Sequence, residues 1–170
     1  MSQAIKLSEI ENGPYPDWAP VSSGYMPVDD MINWYNTYLD KYITAIDKRK
    51  LDDIHYQVAF KDGSGMNFYF VGENAQRIYI FYCTNYKHCG LEKYDGRTTF
   101  LFVLSKHGRN GRYFGTDSIL NNPIPTRESL YNACKYATEG HRHRCAALIE
   151  ADGWEIKDDY PWYPEANPQN

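Results

Sequence analysis

The hydrophobic period of the chain switches from helical to strand-like and back. Between residues 29 and 48, Ile32, Tyr35, Leu39, Ile43 and Ile46 recur at spacings of three and four, which places them on one face of a helix. Asp29 stands where an N-cap is expected, and Lys48, Arg49 and Lys50 complement the negative end of the helix dipole. From residue 55 to 116 the period falls to two. Tyr56, Val58 and Phe60 alternate with more polar neighbours, Asp62-Gly63 signals a turn, and 66–71 and 77–84 continue as strands. Residues 98–105 are apolar on both faces, as in a central strand covered on both sides, and Asn110-Gly111 turns the chain into a last strand at 112–116.

Past the Asn-Asn-Pro-Ile-Pro loop the helical period returns. Thr126 is the expected cap of a helix over 127–138, with Leu130, Ala133, Cys134 and Ala137 inward and Gly140 as its terminator. A second helix over 141–151 places Cys145, Leu148 and Ile149 together. Short links between strands favour antiparallel pairing over βαβ crossovers. The fold class that follows is α+β: an antiparallel sheet of four to five strands (about 55–116), packed with an N-terminal helix (29–48) and a C-terminal helix pair (127–138, 141–151). All 170 residues are read as one domain. Residues 1–28, broken by Pro14, Pro16, Pro20 and Pro27, read as an extended arm pinned by Trp18 and Tyr25, and 163–170 as a disordered tail.

Composition narrows the function classes without choosing among them. A net charge of −4 argues against a general nucleic-acid binder, and an aromatic share of 16% supplies rings suited to recognition. No apolar run approaches the ~18 residues of a membrane span, and no basic-then-apolar leader opens the chain. Four cysteines without a leader read as free thiols, so a cytoplasmic location is expected, with no membrane partner.

Three segments carry candidate chemistry. The run 105–112 gathers Lys106, His107, Arg109 and Arg112 around two glycines, a composition suited to an anion but followed by strand-like residues where a phosphate loop would open a helix. His107 is the best lone general base, with no visible partner. His141, Arg142, His143 and Arg144 begin the last helix, where positive charge opposes the dipole, so Arg142 and Arg144 could join the 105–112 run in one basic patch. The third is a thiol and imidazole set. Cys83, His88 and Cys89 fall as C-x4-H-C, and His141 and Cys145 lie four apart, a spacing compatible with zinc but lacking the tight C-x2-C knuckle. Cys134 on its helix reads as a small core hydrophobe.

No nucleophile elbow or converging acid–base set stands out; His55 lies beside Asp52 and Asp53 without more. The favoured expectation is a small binding or inhibitory module that docks another protein, of the toxin-neutralising or mobile-element accessory type, with no cofactor. The second is an enzyme, or a nucleotide or RNA binder, using 105–112 and 141–145. The third is a zinc-stabilised domain.

Overall fold

The computed structural model of the chain describes residues 1–18, 25–71, 77–89, 94–116, 120, 123–138 and 142–162. Its centre is a six-stranded antiparallel meander in which each strand pairs with its sequence neighbour. The strands are β1 (Asp47–Lys50), β2 (Tyr56–Ala59), β3 (Gly65–Val71), β4 (Arg77–Cys83), β5 (Thr99–Arg109) and β6 (Arg112–Gly115). The helices are α1 (Ser2–Asn12), α2 (Val28–Tyr38), α3 (Arg127–Tyr136) and α4 (Arg144–Ala151). The α+β class expected from the sequence is therefore correct, with six strands in place of four or five. None of the described helices is long and apolar enough to cross a membrane.

Register sorts the side chains. Tyr56, Phe68, Ile80 and Phe102 face one another in a row across β2–β5, and Gln57 with Asn67, then Phe81 and Leu101, form the adjacent row on the opposite face. The first face packs against α1 and α2. Met31, Trp34, Tyr35 and Tyr38 supply the inner side of α2, while Ala4 and Ile5 supply that of α1. Trp18, 1% exposed, stacks on Tyr38 at 4.4 Å between centroids, and Tyr35 meets Tyr56 and Phe68 edge-on. Such ring pairs contribute about 0.5–1.5 kcal/mol each beyond their buried area. Burial pushes the Tyr15 and Tyr35 hydroxyls well above the usual phenol range.

The second face carries a smaller cluster. Leu130 and Cys134 of α3 meet Cys145, Ala147 and Leu148 of α4 and Tyr160. Glu150 fastens α4 to the sheet edge, accepting from the Thr116 N–H (3.0 Å) and hydroxyl (2.6 Å) and pairing with Arg112. Arg127, at the start of α3, pairs with both Asp152 and Asp159.

Several expectations need correction. Residues 2–12 form a helix and not part of an extended arm, because proline enters only at Pro14 and Ala4, Ile5 and Ser8 share a buried side. Trp18 does pin this region, whereas Tyr25 is 59% exposed. The helix expected over 29–48 stops at Tyr38; its buried side is Met31–Trp34–Tyr35–Tyr38, and Ile46 is largely exposed. A 3-10 turn at Asp40–Tyr42 then leads into β1, whose Arg49 faces Gln57 across the sheet edge. Pro27, not Asp29, precedes the first turn of α2. The strand at 98–105 runs on to Arg109, with both faces covered, but it is fifth in the order and not central. The helix expected over 141–151 begins at Arg144, and the Thr126 cap is as expected, accepting from the Ser129 N–H at 3.2 Å. Gly140, His141 and the tail 163–170 lie outside the described residues.

The cysteines are the largest correction. Cys83 is bonded to Cys89 and Cys134 to Cys145, at Cα separations of 5.6 and 4.7 Å. The free thiols on which the cytoplasmic expectation rests are absent. Cys134–Cys145 ties α3 to α4 inside the second cluster, where both residues are fully buried. Replacing both by serine is expected to lower unfolding stability by about 2–4 kcal/mol, read from the urea midpoint of oxidised protein.

Candidate interaction surface

The segment 105–112 is the tip of the β5–β6 hairpin, turned at Asn110-Gly111 as the sequence suggests. Asn110 and Gly111 both adopt positive φ, 51° and 73°, the pairing a two-residue hairpin turn requires. A register shift between Leu104 and Arg109 accommodates Gly108, where a Cβ would run into the Arg112 carbonyl. The expected basic residues are spread along this hairpin. Lys106 donates to the Trp18 carbonyl at 2.8 Å, and burial holds its ammonium below the usual lysine range. Arg112 donates to the Phe114 carbonyl at 3.1 Å and pairs with Glu150. Arg109 lies opposite Arg112, like charge against like. His107 is exposed, its backbone N–H bonded to the Ser105 hydroxyl at 3.3 Å, with no acid–base partner for its ring among the described residues.

Arg142 is occupied elsewhere. Its guanidinium lies 3.8 Å from the centroid of Trp162, on which Arg97 also rests at 4.6 Å, and its Nη1 donates to the Asp95 carbonyl. Arg144 opens α4, while Arg112 meets Glu150 near the other end of that helix. Six residues of α-helix span about 9 Å. Lys106, Arg112 and Arg142 thus tie segments together within the fold.

The thiol and imidazole set is likewise dispersed. Cys83, Cys89 and Cys145 are committed to disulfides, and His88 is exposed in the 3-10 turn Tyr86–His88. Among the described residues no three His, Cys, Asp or Glu side chains are placed to hold a metal. The zinc reading is corrected on that ground: sulfurs bonded to each other are not thiolate ligands.

His55 and Asp52 do come together. The imidazole Nδ1 lies 2.8 and 2.7 Å from the two carboxylate oxygens, and the Ile54 and His55 N–H groups donate to Oδ1. Burial would raise the Asp52 pKa, but these bonds outweigh it and hold the carboxyl below its usual range. The ring packs on Tyr69 at 5.0 Å. This pair closes the β1–β2 hairpin.

What the sequence reading missed is an apolar groove between α1 and the β2–β3 end of the sheet. It is an open groove of about 450 Å³ with Ala4 and Leu7 on one side and Tyr42, Ile43, Phe60 and Met66 on the other, and Gln3 and Thr44 add polar groups to the lining. α1 has two apolar sides. Ala4, Ile5 and Ser8 face the core, while Leu7 and Ile10 point away, 42% and 80% exposed. Lys6, Lys41 and Lys61 are the chain neighbours of the groove residues Leu7, Tyr42 and Phe60, and all three are exposed. Lys41 pairs with Glu11, whereas Lys6 and Lys61 have no ion pair among the described residues. The available signal was the apolar sequence Ala4, Ile5, Leu7, Ile10, too wide for one helix face.

One carboxylate organises the approach to the C-terminal helices. Asp95 accepts from the N–H groups of Arg97, Thr98 and Thr99 and from the Thr98 hydroxyl. Burial raises its pKa, the bonds lower it, and the bonds win. A carboxyl depressed in the folded state stabilises above its unfolded pKa, and that stability is lost as pH falls through the folded value. Asp95→Asn is therefore expected to be less stable than the parent at pH 7. In parallel thermal melts the deficit should begin to shrink only below about pH 4 and vanish once the pH has fallen past the depressed folded-state value.

Comparison with known proteins adds a family and nothing of its activity. No curated protein and no solved structure matches the chain. The family model described as a family of unknown function, DUF6613, matches residues 1–163, nearly the whole length. The chain belongs to that family.

Proposed function

We propose that this chain is a binding module that docks another protein, and that the groove between α1 and the β2–β3 hairpin is its docking surface. The observation that carries this is the second apolar side of α1. Leu7 stands exposed in the groove and Ile10 is exposed one turn further along the helix, although the inward side of the same helix already serves the core. A groove of this shape suits an amphipathic helix, whose anchors at i, i+3 or i+4 enter apolar walls. Lys6 and Lys61, exposed chain neighbours of groove residues with no ion pair among the described residues, favour one occupant: a helical segment of a partner protein, apolar on one side and acidic along its flanks. Occupying such a segment blocks its other contacts, which is how an inhibitory or toxin-neutralising role would operate.

The two disulfides favour an oxidising compartment over the cytoplasm, since glutathione and thioredoxin keep cytosolic thiols reduced. The nucleotide or RNA reading draws less support, because Lys106, Arg112 and Arg142 already bond within the fold.

Selection from a library of helical peptides tests the docking reading. Enriched sequences are expected to carry apolar anchors with flanking Asp or Glu. Losing a Leu contact is worth about 1.5–3 kcal/mol, so Leu7→Asp should weaken binding by about tenfold or more with circular dichroism unchanged. Lys61→Glu should weaken it less, with an effect that fades in high salt. Peptides that bind Leu7→Asp as tightly as the parent, or that show no acidic preference, would overturn it.

A further inference from the structure

We propose that Cys83–Cys89 is a reducible latch that holds the Tyr86–His88 turn over the sheet, while Cys134–Cys145 is a permanent staple. The two bonds sit in different surroundings. Cys134 and Cys145 are both fully buried in the second cluster. Cys83 is buried at the end of β4, but Cys89 is only partly covered, in the connection beyond it. Thiol–disulfide exchange needs access to a sulfur, and of the four cysteines Cys89 is the one that is not buried.

The latched turn covers a buried polar row. Tyr86 sits directly on Gly65, where an added Cβ would lie 2.6 Å from the Tyr86 Cβ. Beneath it, Gln57 Nε2 donates to Asn67 Oδ1 (2.8 Å) and to the Tyr86 carbonyl (3.0 Å), and Arg49 Nε donates to Gln57 Oε1. Gln57 and Asn67 are 1% and 0% exposed, yet Asn67 Nδ2 has no hydrogen-bond partner among the described residues. A buried donor left unsatisfied costs free energy that water repays once the turn lifts. The closed state is therefore held against that cost. Apart from the disulfide, its ties among the described residues include the Tyr86 N–H to the Gly63 carbonyl (3.0 Å), the Gln57 bond, and Arg49 over the Tyr86 ring.

A small dithiol opens the latch. Its thiolate attacks Cys89 Sγ, the Cys83–Cys89 bond breaks, and the electron pair leaves on Cys83 sulfur, which takes a proton. The second thiol then displaces Cys89 Sγ from the mixed disulfide. The chain gains two electrons and two protons, and the dithiol becomes its cyclic disulfide. Freed, the turn lifts from Gly65, and the β2–β3 tip loses its partner at the Gly63 carbonyl. That tip carries Phe60 and Met66, so the latch reaches one wall of the apolar groove.

The test is stepwise reduction with limiting dithiothreitol, trapping by N-ethylmaleimide and peptide mapping, followed by amide exchange on the singly reduced protein. Cys83 and Cys89 are expected to be trapped about tenfold faster than Cys134 and Cys145. Exchange should rise by about tenfold or more over 84–89 and 60–67, with α3 and α4 unchanged. A Cys83→Ser/Cys89→Ser variant should show the same exchange pattern when oxidised. Equal trapping of both pairs, earlier trapping of Cys134 and Cys145, or selective reduction without added exchange would overturn the latch. These readouts use no partner, so they stand or fall separately from the docking reading.

Discussion

The pairing of β4 with β5 is the constraint on which the other contacts depend. Its register puts Ile78, Ile80 and Leu104 on the face that receives α1 and α2, and Phe81, Leu101 and Val103 on the other. Slipping by one residue would exchange those sets and leave both helical layers without a surface to cover. The N-terminal aromatic cluster and the disulfide-tied C-terminal cluster are far apart in sequence. The sheet lies between them, and β6 joins β5 in linking the two, with Tyr113 against Tyr15 and Arg112 against Glu150. The groove inherits its geometry from the same register, since Met66 pairs with Tyr82 and takes its face from β4.

The parts of this fold that were legible are those in which side-chain period carries the information. β3 and β4 carry the runs of aromatic and β-branched residues that mark strands, and Asp62-Gly63 supplies a real turn in which Gly63 has a φ of 87°. β1 was not legible because Asp47–Lys50 contains no apolar residue. It is a strand through backbone pairing to β2 and the Arg49–Gln57 contact, neither of which leaves a period. The overlong helix shows the converse failure. Ile43 and Ile46 kept the helical spacing by coincidence, while Trp34 and Tyr38, on the side actually buried, lie outside the chosen set.

The candidate site was less legible than the fold, for a physical reason. Basic and sulfur-bearing residues advertise chemistry in a sequence, but here they serve internal bonds: Arg112 to Glu150, Arg142 to Trp162, cysteine to cysteine. The groove is made of residues that announce nothing singly. Leu7 is ordinary in a helix and Phe60 ordinary beside a turn. Only the fold brings residues 4–7 next to 42–44 and 60–66. Residue type locates a site when its chemistry is rare, and apolar shape is not rare.

The charged strand at one margin of the sheet also limits how far that sheet can grow. The Leu51 N–H donates to the His55 carbonyl, and antiparallel alternation then turns the backbone groups of Lys48 and Lys50 outward, away from β2. A second molecule approaching margin to margin would meet a strand with no apolar residue, its Lys48 and Lys50 already paired with Asp40 and Asp29, the kind of charged margin that blunts a sheet edge. Six strands are therefore where the meander ends on that side. A chain rich in Tyr and Phe strands keeps its aromatic rows from becoming the seed of a continuous ribbon.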